Sequence, residues 1–99
     1  MKVSILRLAK SDLREMHEYL SEHGDDPPIK FRASFEKFIE QVSAMPNMYS
    51  KYEYAPAYRV AVIAFDYLVF YQADESAGEV KIYRVLHGRR NIAPLLAQP

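Results

Sequence analysis

Apolar positions recur at a helical period in the first half of this chain and crowd together at strand-like density in the second. Val3 to Leu8 (VSILRL) is a short apolar run that predicts a strand. Ser11-Asp12 follows as an N-cap, where a side-chain oxygen accepts from the free N–H groups of a first helical turn. Glu15 then lies near the positive end of that helix. Leu13, Met16, Tyr19 and Leu20 form one stripe, and Gly24 closes a helix of about 12 residues. Asp25-Asp26-Pro27-Pro28 is a stiff connector that places Pro28 at the first position of a second helix. Phe31, Phe35, Phe38, Ile39 and Val42 give the clearest helical stripe of the chain, and Pro46 stops it after Met45. Two amphipathic helices on a short link predict a helical hairpin, with the three Phe as core packing rather than a ligand box.

Residues 47–58 (NMYSKYEYAPAY) carry no period but hold Tyr49, Tyr52, Tyr54 and Tyr58. They read as an irregular segment whose rings cover the core, with a docking surface as the alternative, since Tyr buries much area at low entropy cost. RVAVIAF (59–65), YLVFYQA (67–73) and EVKIYRVLH (79–87) are dense in β-branched and apolar residues, with turns at Asp66-Tyr67 and at Asp74 to Gly78 (DESAG). Links this short make the three strands an antiparallel meander. The middle strand is apolar on both faces, as in a sheet covered on both sides. The tail NIAPLLAQP has room for a short turn only, and its Ile92, Leu95 and Leu96 need burial. The expected fold is α+β: a small antiparallel sheet, an N-terminal strand plus a C-terminal three-strand meander, packed on an N-terminal two-helix hairpin, in one domain spanning residues 1–99.

Composition narrows the function. Basic and acidic residues balance at 13 each, which argues against non-specific coating of nucleic acid. Direct sequence-specific DNA binding by this chain alone is not expected either. The balance is not local, however. From residue 80 onward Lys81, Arg84, Arg89 and Arg90 meet no Asp or Glu, so the C-terminal stretch is a basic patch that can steer an acidic partner. With no Cys there are no disulfides, no thiol catalysis and no Cys–zinc site, and the three His lack ligand spacing, so neither metal nor cofactor is expected. No apolar run reaches transmembrane length and the N-terminus lacks a signal-peptide core; a cytoplasmic protein without a membrane partner is the expectation.

Candidate chemistry concentrates in the basic residues. No Ser occupies a nucleophile turn, Gly24, Gly78 and Gly88 make no phosphate loop, and the strand-end carboxylates look like turn residues. Arg59, Lys81, Arg84, His87, Arg89 and Arg90 remain. Arg with His suits metal-free RNA cleavage, Arg stabilising the charged phosphorane and His moving protons; the same residues suit docking to an acidic protein. Strand parity separates the two uses. Arg84 alternates with Val80, Ile82 and Leu86, whereas His87 falls on the other face, so without a bulge the two cannot flank one phosphate. A paired, half-buried structural Arg is then one alternative for Arg84, beside a binding role.

These residues resemble a known family. AKSDLREMHEYL (9–20), SAMPNM (43–48) and above all the stretch from Tyr58 to Ile92, with an Arg on the first meander strand and RVLHGRR after the third, are similar to the RelE/ParE superfamily of toxins from bacterial type II toxin–antitoxin modules, closest to the ParE branch. The resemblance implies a toxin that causes growth arrest by binding DNA gyrase, without catalysis, and that is neutralised by a cognate antitoxin with an extended, often acidic segment. The RelE branch instead cleaves mRNA on the ribosome, which would make Arg59, Arg84 and His87 catalytic; a non-toxic relative that only binds antitoxin is the third possibility. Against cleavage, Gly88 follows His87 and no Tyr follows Tyr83, where the ribonuclease branch often carries a catalytic Tyr. For target or antitoxin binding the resemblance and the charge pattern together give Arg59, Arg84, His87, Arg89, Arg90, Tyr52 and Tyr54.

Overall fold

In the computed structural model, which describes residues 1–97, strand β1 (Lys2–Ile5) runs almost directly into helix α1 (Arg7–Ser21). Leu6 is the extended N-cap residue, without a side-chain cap bond, and its carbonyl accepts from Lys10 N–H. The helix therefore begins before Ser11-Asp12, and the N-cap expected there is overturned. The reason is that Asp12 lies on the buried stripe Ala9, Asp12, Met16, Leu20, where it has a partner worth more than a free helix end. Gly24, at φ +111°, reverses the chain after α1. Helix α2 (Asp26–Ala44) starts at Asp26 with both prolines in its first turn, where their missing N–H groups cost nothing, and buries Phe31, Phe35, Phe38 and Val42. Met45 ends it outside the helical region, at φ −134° and ψ 80°, just before Pro46.

The segment expected to be irregular is partly paired. β2 (Lys51–Tyr52) turns back on β3 (Ala55–Ile63), so residues 55–58 extend the strand expected only from Arg59. Between β3 and β4 (Tyr67–Asp74) stands a single 3-10 turn, Ala64–Asp66, in place of a tight turn at Asp66-Tyr67; Phe65 and Asp66 both take positive φ there, 59° and 60°. β5 (Glu79–His87) has the expected bounds. The sheet order is β1-β5-β4-β3-β2, antiparallel except for β1, which pairs parallel with β5. The α+β class and the helical hairpin on a sheet hold, and the sheet is mixed and five-stranded rather than purely antiparallel.

Two cores result from the doubly apolar middle strand. Toward the helices, Val69 and Tyr71 of β4 meet Phe31, Phe38, Val42 and Ile82. On the outer face Phe70 and Leu86 meet Ile92 and Leu96 of the short helix α3 (Ile92–Leu96), which is where the tail's apolar residues go. Residues 98–99 of the expected domain and tail lie outside the described residues. A bulge at Tyr83 divides β5: Tyr71 faces Ile82 but Phe70 faces Arg84. Arg84 and Leu86 consequently share the outer face with Phe70, while Val80, Ile82, Val85 and His87 look toward the helices. The simple alternation expected for β5 fails at this one residue.

Candidate functional site

β1 pairs with β5 only as far as Ile5 opposite Ile82, so the outer edge of β5 is open beyond that point. Asp12 closes it. One carboxylate oxygen accepts from the Val85 backbone N–H (2.9 Å) and from Arg84 Nε (2.8 Å); the other accepts from the second terminal nitrogen of the same guanidinium (2.9 Å). Arg84 is 7% exposed and Asp12 6%, so this is a buried, bidentate pair. The Asp12 hydrogen bonds raise the Arg84 pKa, against the opposing effect of burial. The remaining arm of Arg84 donates to the Leu95 carbonyl of α3 (2.9 Å). Three elements meet on one guanidinium, and each of its three nitrogens donates one hydrogen bond within the fold. Arg84 is paired, as one reading of the sequence had it, but buried rather than half-buried.

Arg59 is held more lightly, half-buried and through one terminal nitrogen. It stands opposite Tyr71 on the helix side of β3 and donates to the carbonyl of Tyr49 (2.7 Å) and, at a longer 3.5 Å, to that of Asn47. Together with the Tyr71 hydroxyl, which donates to the Pro46 carbonyl (2.8 Å), it fastens the chain that leaves α2. Tyr49 packs on Phe38 and Tyr71, and Tyr52 packs edge-on against Phe70, so both cover core, as one reading of the sequence held. Tyr54 rests on Tyr52 yet is 74% exposed.

His87 ends β5 opposite Tyr67, their rings edge to face at 5.3 Å. Its Nδ1 accepts the Arg89 backbone N–H (3.2 Å). Gly88 donates to the Asp66 carbonyl (2.9 Å), and a Cβ at Gly88 would come within 3.3 Å of that oxygen; the close approach of the two turns accounts for glycine here. Arg89 and Arg90 follow in a turn closed by Arg90 N–H on the His87 carbonyl, and both are exposed. Neither forms an ion pair among the described residues.

His87, Arg89 and Arg90 form one wall of a cleft of about 410 Å³ whose other wall is α1, with Glu15 and Tyr19, and whose floor includes Tyr67. Burial, and then the neighbouring Tyr19 phenol, push the Tyr67 pKa up. The basic residues do not converge beyond this. Arg84 and His87 project from opposite faces, and Arg59 stands opposite Tyr71, four residues from the Tyr67 position that His87 faces, roughly 13 Å along the strand. Among the described residues no cluster of His, Asp and Glu could hold a metal ion, and no helix is long and apolar enough to cross a membrane. Sequence reasoning missed Asp12 as the partner of Arg84. The available signal was a lone acid inside the α1 apolar stripe and a lone Arg between apolar residues of β5, two buried charges that must find each other.

The family model described as "ParE toxin of type II toxin-antitoxin system, parDE" matches residues 3–92. Among solved structures, the chain is similar to one titled "Chromosomal ParDE TA system from P. aeruginosa", with a TM-score of 0.61 at 16% identity, covering 88% of this chain and 95% of that one. At that identity the likeness concerns the fold. No curated protein matches the chain in sequence.

Proposed function

The chain belongs to the family of ParE toxins of type II toxin–antitoxin systems, and from that membership we propose that it is the toxin of such a module, held by a cognate antitoxin and acting on DNA gyrase by binding. The observation that carries binding over cleavage is the buried Asp12–Arg84 pair. Under a ribonuclease reading Arg84 would have to meet a phosphate, yet its side chain is buried and each of its nitrogens already bonds Asp12 or Leu95. Arg59 is likewise held on backbone carbonyls, and His87 lies on the face opposite Arg84. What remains free for a partner is the exposed pair Arg89 and Arg90 beside the α1 cleft, with Tyr54 exposed elsewhere. Two exposed guanidiniums suit acidic groups on an antitoxin or a target, since Arg presents paired donors in a fixed fork.

The test is induction of this chain without antitoxin in bacterial cells carrying a DNA-damage reporter, with mRNA 5′ ends mapped in the same culture. Growth arrest with the reporter on and mRNA intact is expected. Arrest with a silent reporter and new mRNA ends would replace this reading with the ribonuclease one and return Arg59, Arg84 and His87 to the catalytic candidates. Absence of arrest would leave a relative that only binds antitoxin.

A further inference from the structure

The basic turn is short, exposed and attached to a helix too small to hold itself. α3 has five residues, about a third of the length at which an isolated helix becomes stable. Its position depends on Ile92 and Leu96 resting on Phe70 and Leu86, and on one polar fastening, Arg84 to the Leu95 carbonyl. That fastening has direction only because Asp12 grips the other side of the guanidinium plane with both oxygens. A guanidinium held at two of its three nitrogens has its third pointing one way. Asp12 in turn sits on α1, one turn from Glu15 and on the wall of the cleft that faces Arg89 and Arg90.

We propose that Asp12 is a positioning residue for the basic turn: through Arg84 it clips α3 to the sheet edge and thereby fixes Arg89 and Arg90 across the cleft from α1. The turn is then anchored at both ends. At its start, Gly88 is hydrogen-bonded to Asp66 and Arg89 to His87; at its end, Leu95 is held by Arg84. An acidic partner meets two preset guanidiniums and is spared the ordering of a free chain end, which otherwise opposes binding. The inference rests on the binding role proposed above for Arg89 and Arg90, but the fastening itself is tested without it.

Arg89 and Arg90 are themselves trypsin sites, so the protein reports on its own turn. In the purified full chain, Asp12→Asn keeps an acceptor for Val85 N–H but removes the charge and one of the two oxygens that aim Arg84. Cleavage after Arg89 and Arg90, followed by mass spectrometry, should accelerate on the order of tenfold relative to cleavage after Arg32, which is exposed on α2. Where Asp12→Asn folds poorly, Asp12→Asn combined with Arg84→Met fills the same volume without an unpaired charge and should show the same local acceleration. Unchanged cleavage, or an equal rise at Arg32, overturns the proposal, because a merely structural pair would loosen the molecule evenly. A second arm tests the consequence. Growth arrest by the double variant should fall while its soluble level matches wild type; arrest at the wild-type level with a loosened turn would show that the fastening does not serve binding. If the wild-type chain arrests nothing, the toxin reading fails, and the trypsin ratio still decides the fastening.

Discussion

The Asp12 carboxylate and the Arg84 guanidinium are 72 residues apart in the chain and 2.8 Å apart in the fold. Removing one charge strands the other in the interior. Asp12→Ala is expected to cost about 3–5 kcal/mol, whereas replacing both partners by uncharged residues that keep an acceptor for Val85 N–H is expected to cost less, since two ions leave water to form the pair. Urea unfolding of Asp12→Ala, Arg84→Met and the double variant Asp12→Asn/Arg84→Met makes the comparison. Single variants as stable as wild type would mean that the pair is not buried in solution.

Arg59 is expected to behave as a structural residue too. Arg59→Ala frees the Tyr49 and Asn47 carbonyls. Because that site is partly open to water, the loss should be about 1 kcal/mol, with faster amide exchange concentrated in the segment from Asn47 to Tyr52. Growth arrest should persist in cells where the variant accumulates normally. A variant that is fully folded and wholly inactive would instead give Arg59 a direct role.

Much of this arrangement was legible in the sequence. The Phe31–Phe35–Phe38 stripe predicted α2 because nothing competes with a strict apolar period, and the density of β-branched residues predicted β4 and β5. Asp12 misled because an acid just before a run of apolar positions has the look of a cap, and only the three-dimensional meeting with Arg84 gives it another use. Tyr83 misled for a similar reason: a bulge leaves no mark in the side-chain alternation until a register is known. β2 was invisible, since two residues are too few to carry a period. Of the candidate site, the residue types were legible but not their commitments. Whether an Arg is free or spent depends on carbonyls and carboxylates contributed by distant segments, as with Leu95 for Arg84 and Tyr49 for Arg59.

Alkaline pH gives a test of the aromatic core. Tyr71 is fully buried, and its pKa is raised by that burial; Tyr67 shifts the same way. In the unfolded chain both phenols titrate near the ordinary value of 10.0. Below that pH both states keep their protons and the contribution to stability is complete. As pH rises past 10.0 the unfolded chain loses protons that the folded one retains, so stability falls through the interval up to the folded-state values. Urea midpoints measured from pH 8 to 11 should decline over that interval, and Tyr67→Phe/Tyr71→Phe should flatten the decline. A decline of the same steepness in the double variant would assign it to other groups.

Arg89 and Arg90 carry the last prediction. They are exposed and lack an ion partner among the described residues, so reversing them should leave the fold intact. Arg89→Glu/Arg90→Glu should unfold at the same urea concentration as wild type. If the turn meets acidic groups, the variant's affinity should fall on the order of tenfold or more at low salt, and the gap between wild type and variant should narrow as salt rises, because exposed charges are screened beyond a Debye length. Purified gyrase, the target proposed above, is titrated first, by surface-immobilised binding at several salt concentrations. A salt-insensitive affinity that is equal for the two chains would remove the basic turn from the gyrase surface. The same reversal tested against the antitoxin would then decide whether the turn faces that partner instead.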